Sequence, residues 1–159
     1  MEKISAFNNV FFKENGFKGN TRNFHSPDNS FINSLIDNHK GNPLSLSMLY
    51  IIIAKQIGLP ICGINMPKHF ILGFEDENEI NGDPIKFYIN PFSKGSILNR
   101  QDLEVFLKRE KLKEGSSEGM IIFSSCFGNR VSEPVANLSP SLFQFLSGIQ
   151  VVKLQSCLQ

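Results

Sequence analysis

The sequence predicts an α+β fold in which short helices surround one buried central helix and an antiparallel sheet follows. Three observations lead there. Residues 42–58 open on Asn42-Pro43, run through LSLSMLYIIIAKQI and stop at Gly58, apolar nearly all round, as in a helix buried on most sides. The segments after Gly58-Leu59-Pro60 are short and apolar, with turn residues between them, which is the pattern of strands. A central buried helix with β structure after it suggests α+β.

The elements follow in order. Ile4, Phe7, Val10 and Phe11 lie on one helical stripe that ends at Gly16, giving a short amphipathic helix. Lys18 to His25 reads as a polar linker. Ser26-Pro27-Asp28 is a helix start, with Ser26 as cap, Pro27 at the first position and Asp28 at the positive end. Phe31, Leu35 and Ile36 form that helix's buried face and Gly41 stops it. Asn42 caps the central helix and Pro43 occupies its first position, with only Lys55 and Gln56 facing solvent.

Ile61 to Met66, His69 to Phe74 and Ile85 to Asn90 are the expected strands, with an acidic turn, Glu75 to Pro84, between the last two. Placing Phe74 opposite Ile85 puts Phe70, Leu72 and Phe74 on one face with Ile89, Phe87 and Ile85. All six are apolar, so this parity is favoured over a one-residue slip. The same register sets His69 opposite Asn90 on the other face. Phe92 to Arg100 reads as a loop, and Gln101 to Lys111 as a helix with Leu103, Phe106 and Leu107 inward. Glu114 to Gly119 is a link, Met120 to Phe123 a further strand, and Leu142 to Leu158 an irregular helical tail broken by prolines. The division is a core with N-terminal helices over 1–113 and an extension packed on it over 114–159.

Composition narrows the function classes. The 159 residues carry 16 Lys and Arg against 15 Asp and Glu, a net charge of +1, so neither nucleic acid nor an anionic membrane surface is an expected partner. The start, MEKISAFNNVFF, has no apolar leader core, and the longest clean apolar run, Met48 to Ala54, falls far short of the about 20 residues that span a bilayer. Cys62, Cys126 and Cys157 are odd in number and far apart, and His25, His39 and His69 lack ligand spacing. No disulfide frame, metal or cofactor is expected, and the location expected is cytoplasmic. Cys62 reads as a small core residue, and nothing ties Cys126 or Cys157 to His69.

The runs GNPLSLSMLYIIIAKQIGLP, INMPKHFILGF and FYINPFSKGSILNRQDLEVFL together resemble the transglutaminase-like core domain of the bacterial SirB-type proteins, over about Asn29 to Leu107. The resemblance implies a papain/transglutaminase-like architecture. It also implies a site with a cysteine at the start of the central helix, a histidine on a following strand and an aspartate or asparagine on the next. A helix N-terminus stabilises a thiolate, the histidine serves as base and then acid, and the third residue holds the imidazole tautomer. By this resemblance His69 matches the histidine and Asn90, in Asn90-Pro91-Phe92, the third position. The cysteine of a G-x-C pattern falls on Gly41-Asn42-Pro43, so Pro43 stands where the nucleophile would be.

Proline has no side-chain heteroatom, so no thiol chemistry starts there. The expected function is therefore a non-catalytic, transglutaminase-like module binding a peptide or protein in a cleft lined by Asn42, Pro43 and Tyr88, beside a vestigial His69 and Asn90. The alternative is an amide or ester hydrolase or acyl-transfer enzyme with Ser45 or water as nucleophile, His69 as base and Asn90 orienting it.

Overall fold

The computed structural model describes residues 1–66, 69–76, 85–114 and 123–125. The α+β architecture expected from the sequence is the one observed.

Ile4 and Phe7, at helical spacing, are buried by α1 (Glu2–Asn8). The chain continues as a π-helical turn over Asn9–Glu14, closed by the Asn15 amide donating to the Val10 carbonyl at 3.0 Å. Each residue advances less around a π-helical axis than around an α-helical one, and the consecutive Phe11 and Phe12 are both buried here. Within the expected polar linker, β1 (Lys18–Gly19) pairs in parallel with β2 (Lys40–Gly41).

Ser26-Pro27-Asp28 starts a helical segment, but only a single 3₁₀ turn over Pro27–Ser30, and the Ser26 side chain makes no capping bond. Phe31 then turns extended (φ −94°, ψ 127°) and α2 (Ile32–Asn38) begins afresh. That break takes Phe31 off the expected buried face and leaves it 57% exposed, whereas Leu35 is fully enclosed. α2 ends on His39 in the left-handed conformation (φ 56°), two residues before the glycine expected to stop it.

α3 (Pro43–Gln56) starts where the cap signals place it. It is enclosed by Leu46, Leu49, Tyr50, Ile51, Ile53 and Ala54. One expectation fails in its first turn: Leu44 is 50% exposed, because at the second helical position it projects beyond the packed body of the helix. The helix leads into Gly58 at φ +71°, a conformation glycine adopts without steric cost.

β3 (Ile61–Met66), β4 (His69–Glu75) and β5 (Ile85–Asn90) occupy the expected segments. The expected loop after β5 holds a 3₁₀ turn, Pro91–Ser93, and a short β6 (Ser96–Leu98). α4 (Arg100–Glu114) follows, and β7 (Phe123–Ser125) pairs with β3. The sheet order is β6-β5-β4-β3-β7, antiparallel at every described pairing.

The register between β4 and β5 differs from expectation by two residues. Leu72 lies opposite Ile89 and Phe74 opposite Phe87, and a bulge then brings Glu75 opposite Ile85. Lys86 is the residue the bulge leaves over, and its Nζ meets Asp76 Oδ2 at 2.7 Å. A shift of two keeps every side chain on its predicted face, so Phe74 still stacks on Phe87, with centroids 4.8 Å apart and planes 12° apart.

Helices cover both faces of the sheet. On one, Ile61, Leu72, Phe87 and Ile89 pack with the buried faces of α1, α2 and α3. On the other, Cys62, Ile64, Met66, Ile71 and Tyr88 pack with Leu103 and Leu107 of α4. The acidic turn over 77–84 and the tail, with Cys126, Cys157 and Leu142 to Leu158, lie outside the described residues.

Candidate functional site

Where β3 hands over to β4, the sheet ends beside the first turn of α3 and an open cleft of about 420 Å³ forms. Asn42, Pro43 and Leu44 line it from the helix, Asn65, Met66, His69 and Phe70 from the strands, and Phe24 from the segment before the 3₁₀ turn. No described lining residue carries a fixed charge; the walls are apolar side chains, two amides and one imidazole. Phe24 and Leu44 are 45% and 50% exposed, so apolar surface is presented at the mouth.

The start of α3 is fixed by its own polar groups. Asn42 Oδ1 accepts the Ser45 amide at 2.8 Å, and Ser45 Oγ accepts the Asn42 amide at 3.1 Å, a reciprocal capping box. The Ser45 hydroxyl itself donates to the Asn29 carbonyl at 2.6 Å and is buried. Ser45 thus lies one turn into the helix with its hydroxyl spent inside the cap. It does not line the cleft. Ser47, four residues on from Pro43 and therefore on the same helical face, is fully enclosed, and its hydroxyl has no partner among the described residues.

The expected facing pair, His69 opposite Asn90, is not formed. In the observed register His69 pairs with Met66 across β3–β4, and Asn90 pairs with Ser96 across β5–β6. The β4–β5 pairs run from Glu75–Ile85 to Leu72–Ile89, two residues off the expected register with one of the two taken up at the bulge, and none of them joins His69 to Asn90. Asn90 Oδ1 instead accepts the Ser93 amide at 3.3 Å, capping the 3₁₀ turn over Pro91–Ser93. His69, half-buried, and Phe106 of α4 form a T-shaped ring pair with centroids 4.8 Å apart. Tyr88, expected in the cleft, is 4% exposed and belongs to the core beneath α4. The cleft therefore brings together His69, Asn42 and Pro43, and not Asn90, Tyr88 or Ser45.

Sequence reasoning missed Asn29 and the aromatic wall. Asn29 is 2% exposed. Its Nδ2 donates to the carbonyls of Asn23 at 2.7 Å and Phe24 at 2.9 Å, and its Oδ1 accepts Asn20 Nδ2 at 2.8 Å. Phe24 in turn meets Phe92 edge-on, centroids 5.9 Å apart, and Phe92 lies over Gly19, where an added Cβ would run into the ring. The available signal was three asparagines within ten residues of an apparent linker.

Among the described residues no three His, Cys, Asp or Glu side chains gather as metal ligands. Nor is any described helix long and apolar enough to cross a membrane.

Comparison with known proteins bears on the family. A UPF0162 protein of Xylella fastidiosa is 30% identical over 101 residues, covering 64% of this chain and 34% of its own length. A UPF0162 protein of Vibrio cholerae is 32% identical over 109 residues, 69% of this chain and 38% of that one. F-box only protein 21 of Mus musculus is 32% identical over 108 residues, 65% of this chain but 17% of its own. The chain thus spans only about a third of the length of the UPF0162 relatives. No solved structure matches it. The family model described as the transglutaminase-like superfamily matches residues 1–120, and the chain belongs to that superfamily.

Proposed function

We propose that this chain is a non-catalytic transglutaminase-like module that holds a peptide in the cleft between the start of α3 and the β3–β4 end of the sheet. The carrying observation is Pro43 at the first position of α3, lining the same cleft as His69. In this reading, which includes the likeness to SirB-type proteins, Pro43 stands where active relatives have cysteine. It has no heteroatom to attack with, and the neighbouring hydroxyl, that of Ser45, is committed to the Asn29 carbonyl at 2.6 Å. What the cleft keeps is recognition chemistry. Phe24, Leu44, Met66 and Phe70 offer an apolar surface, and Asn42, Asn65 and His69 offer hydrogen-bonding groups for a peptide backbone. Neutral peptides with one large apolar side chain fit such a lining better than charged ones. Relatives that carry the similar region as a minor part of much longer chains support its reading as a module.

The test combines labelling and binding. Wild type and His69→Ala are treated with a fluorophosphonate and with iodoacetamide, and labelled sites are mapped by mass spectrometry. In parallel, amide chemical shifts follow titration with a blocked Ser-Gly-Ser-Phe-Ser-Gly-Ser peptide. The expected result is no label that depends on His69 and saturable shifts at Asn42, Leu44, Asn65 and Phe70. A Ser45 label lost in His69→Ala, or amide turnover abolished by that substitution, would replace this reading with the hydrolase.

A further inference from the structure

Asn29 touches both walls of the cleft without lining it. Its side-chain amide holds the Asn23 and Phe24 carbonyls at 2.7 and 2.9 Å, fixing the segment that carries the Phe24 wall. Its own carbonyl accepts the Ser45 hydroxyl at 2.6 Å and the Asn42 amide at 3.2 Å, fixing the first turn of α3 and with it Pro43 and Leu44. Asn20 Nδ2, donating to Asn29 Oδ1 at 2.8 Å, sets the amide so that both of its N–H groups face the two carbonyls. A buried side chain with this many satisfied bonds is unusually costly to replace. The same core could be closed by an apolar residue if burial were all the position required.

We infer that Asn29 is the positioning residue of the cleft, holding Phe24 at a set distance from the start of α3 and so selecting ligands with a large apolar side chain. It acts through Phe24, and its two functions are separable. The side chain serves the Phe24 wall, and the main-chain carbonyl, which substitution leaves in place, serves the helix. The selectivity half rests on the peptide-binding reading above; the positioning half does not.

Asn29→Ala, Phe24→Ala and the double variant decide it, with Asn20→Ala as a further variant that removes the bond orienting the amide together with the acceptor of the Asn23 amide. Without ligand, Asn29→Ala is expected to speed hydrogen exchange at the Asn23 and Ser26 amides, which donate to Asn20 Oδ1 and the Asn23 carbonyl. The Ser45 and Leu46 amides should keep their protection. In Asn20→Ala the Asn23 amide loses its acceptor outright, so the Ser26 amide is the reporter there and should show the same change more weakly. With the phenylalanine-centred heptapeptide, Asn29→Ala should weaken binding about tenfold, the scale set by losing one or two hydrogen bonds at a buried site. The alanine-centred counterpart should be unaffected. Phe24→Ala should lose as much, and the double variant no more than either single one. Equal acceleration at both walls, unchanged exchange at Asn23 and Ser26, or additive losses in the double variant would overturn the assignment. If wild type binds neither peptide, the peptide reading falls while the exchange data still decide the role of Asn29.

Discussion

The imidazole of His69 and the ring of Phe106 form a T-shaped pair, with centroids 4.8 Å and planes 68° apart. The cleft histidine is therefore seated against α4, on the opposite side of the sheet from the helix whose first turn lines the cleft. Aromatic pairs of this kind contribute about 0.5–1.5 kcal/mol beyond their buried area. Phe106→Leu keeps apolar volume and removes the ring. It should cost stability on that scale and shift the His69 ring proton resonances, by loss of the ring current; unchanged resonances in the NMR spectrum would refute the contact.

Ser45 tests the cap directly. Ser45→Ala deletes the hydroxyl that donates to the Asn29 carbonyl and accepts the Asn42 amide. The expected loss is about 1–3 kcal/mol in urea unfolding, the range for a cap and a buried hydrogen bond. Electrophile labelling should be identical to wild type.

Pro43→Cys would put a thiol at the first position of α3, in the cleft that His69 also lines. A helix N-terminus and a nearby imidazolium both favour thiolate. Alkylation of that cysteine should titrate below the ordinary thiol value of about 8.5 and move toward it in Pro43→Cys/His69→Ala. An ordinary profile in both would mean that the helix start no longer holds the electrostatics of a nucleophile site.

Ser47 gives a prediction of opposite sign. Its hydroxyl is buried without a partner among the described residues, and such a group costs about 1–3 kcal/mol in desolvation. Ser47→Ala should therefore raise the thermal midpoint. A lowered midpoint would mean that an ordered water or ligand atom bonds to the hydroxyl in solution.

Tyr50 donates its hydroxyl to Asn8 Oδ1 at 2.9 Å, and Asn8 Nδ2 donates to the Gly95 carbonyl at 2.9 Å. Burial pushes the phenol well above its ordinary value of 10.0. The folded state thus favours the protonated form, so this stability is complete below about pH 10 and is lost above it as the unfolded chain ionises. Tyr50→Phe should cost about 1 kcal/mol at neutral pH for the lost hydrogen bond. It should also flatten the decline in stability between pH 9 and 11 seen for wild type by chemical denaturation.

Local chemistry was legible in the sequence and long-range geometry less so. The start of α3 could be read because Asn42, Pro43 and Ser45 act within one helical turn. The three strands could be read because apolar runs stop at glycine and proline. The β4–β5 register could not. Slides of two residues leave the same side chains facing the core, and only the bulge at Phe74/Glu75 with its Lys86–Asp76 pair separates them. Asn90 carried the motif, but the register does not set it opposite His69, and its side chain caps the turn that follows β5. The Phe24 and Asn29 wall was hidden for a different reason. Its residues are spread through a polar segment whose partners, Asn42, Ser45 and Phe92, lie far along the chain.

The alternation of His69 and Phe70 at the start of β4 has a mechanical meaning. Phe70 leans on the core shared with α3, whereas His69 leans on Phe106 and the core beneath α4. Two neighbouring residues in one cleft thus bear on two separately packed halves, one on each face of the sheet. Anything that spreads or closes the cleft therefore bears on both halves at once.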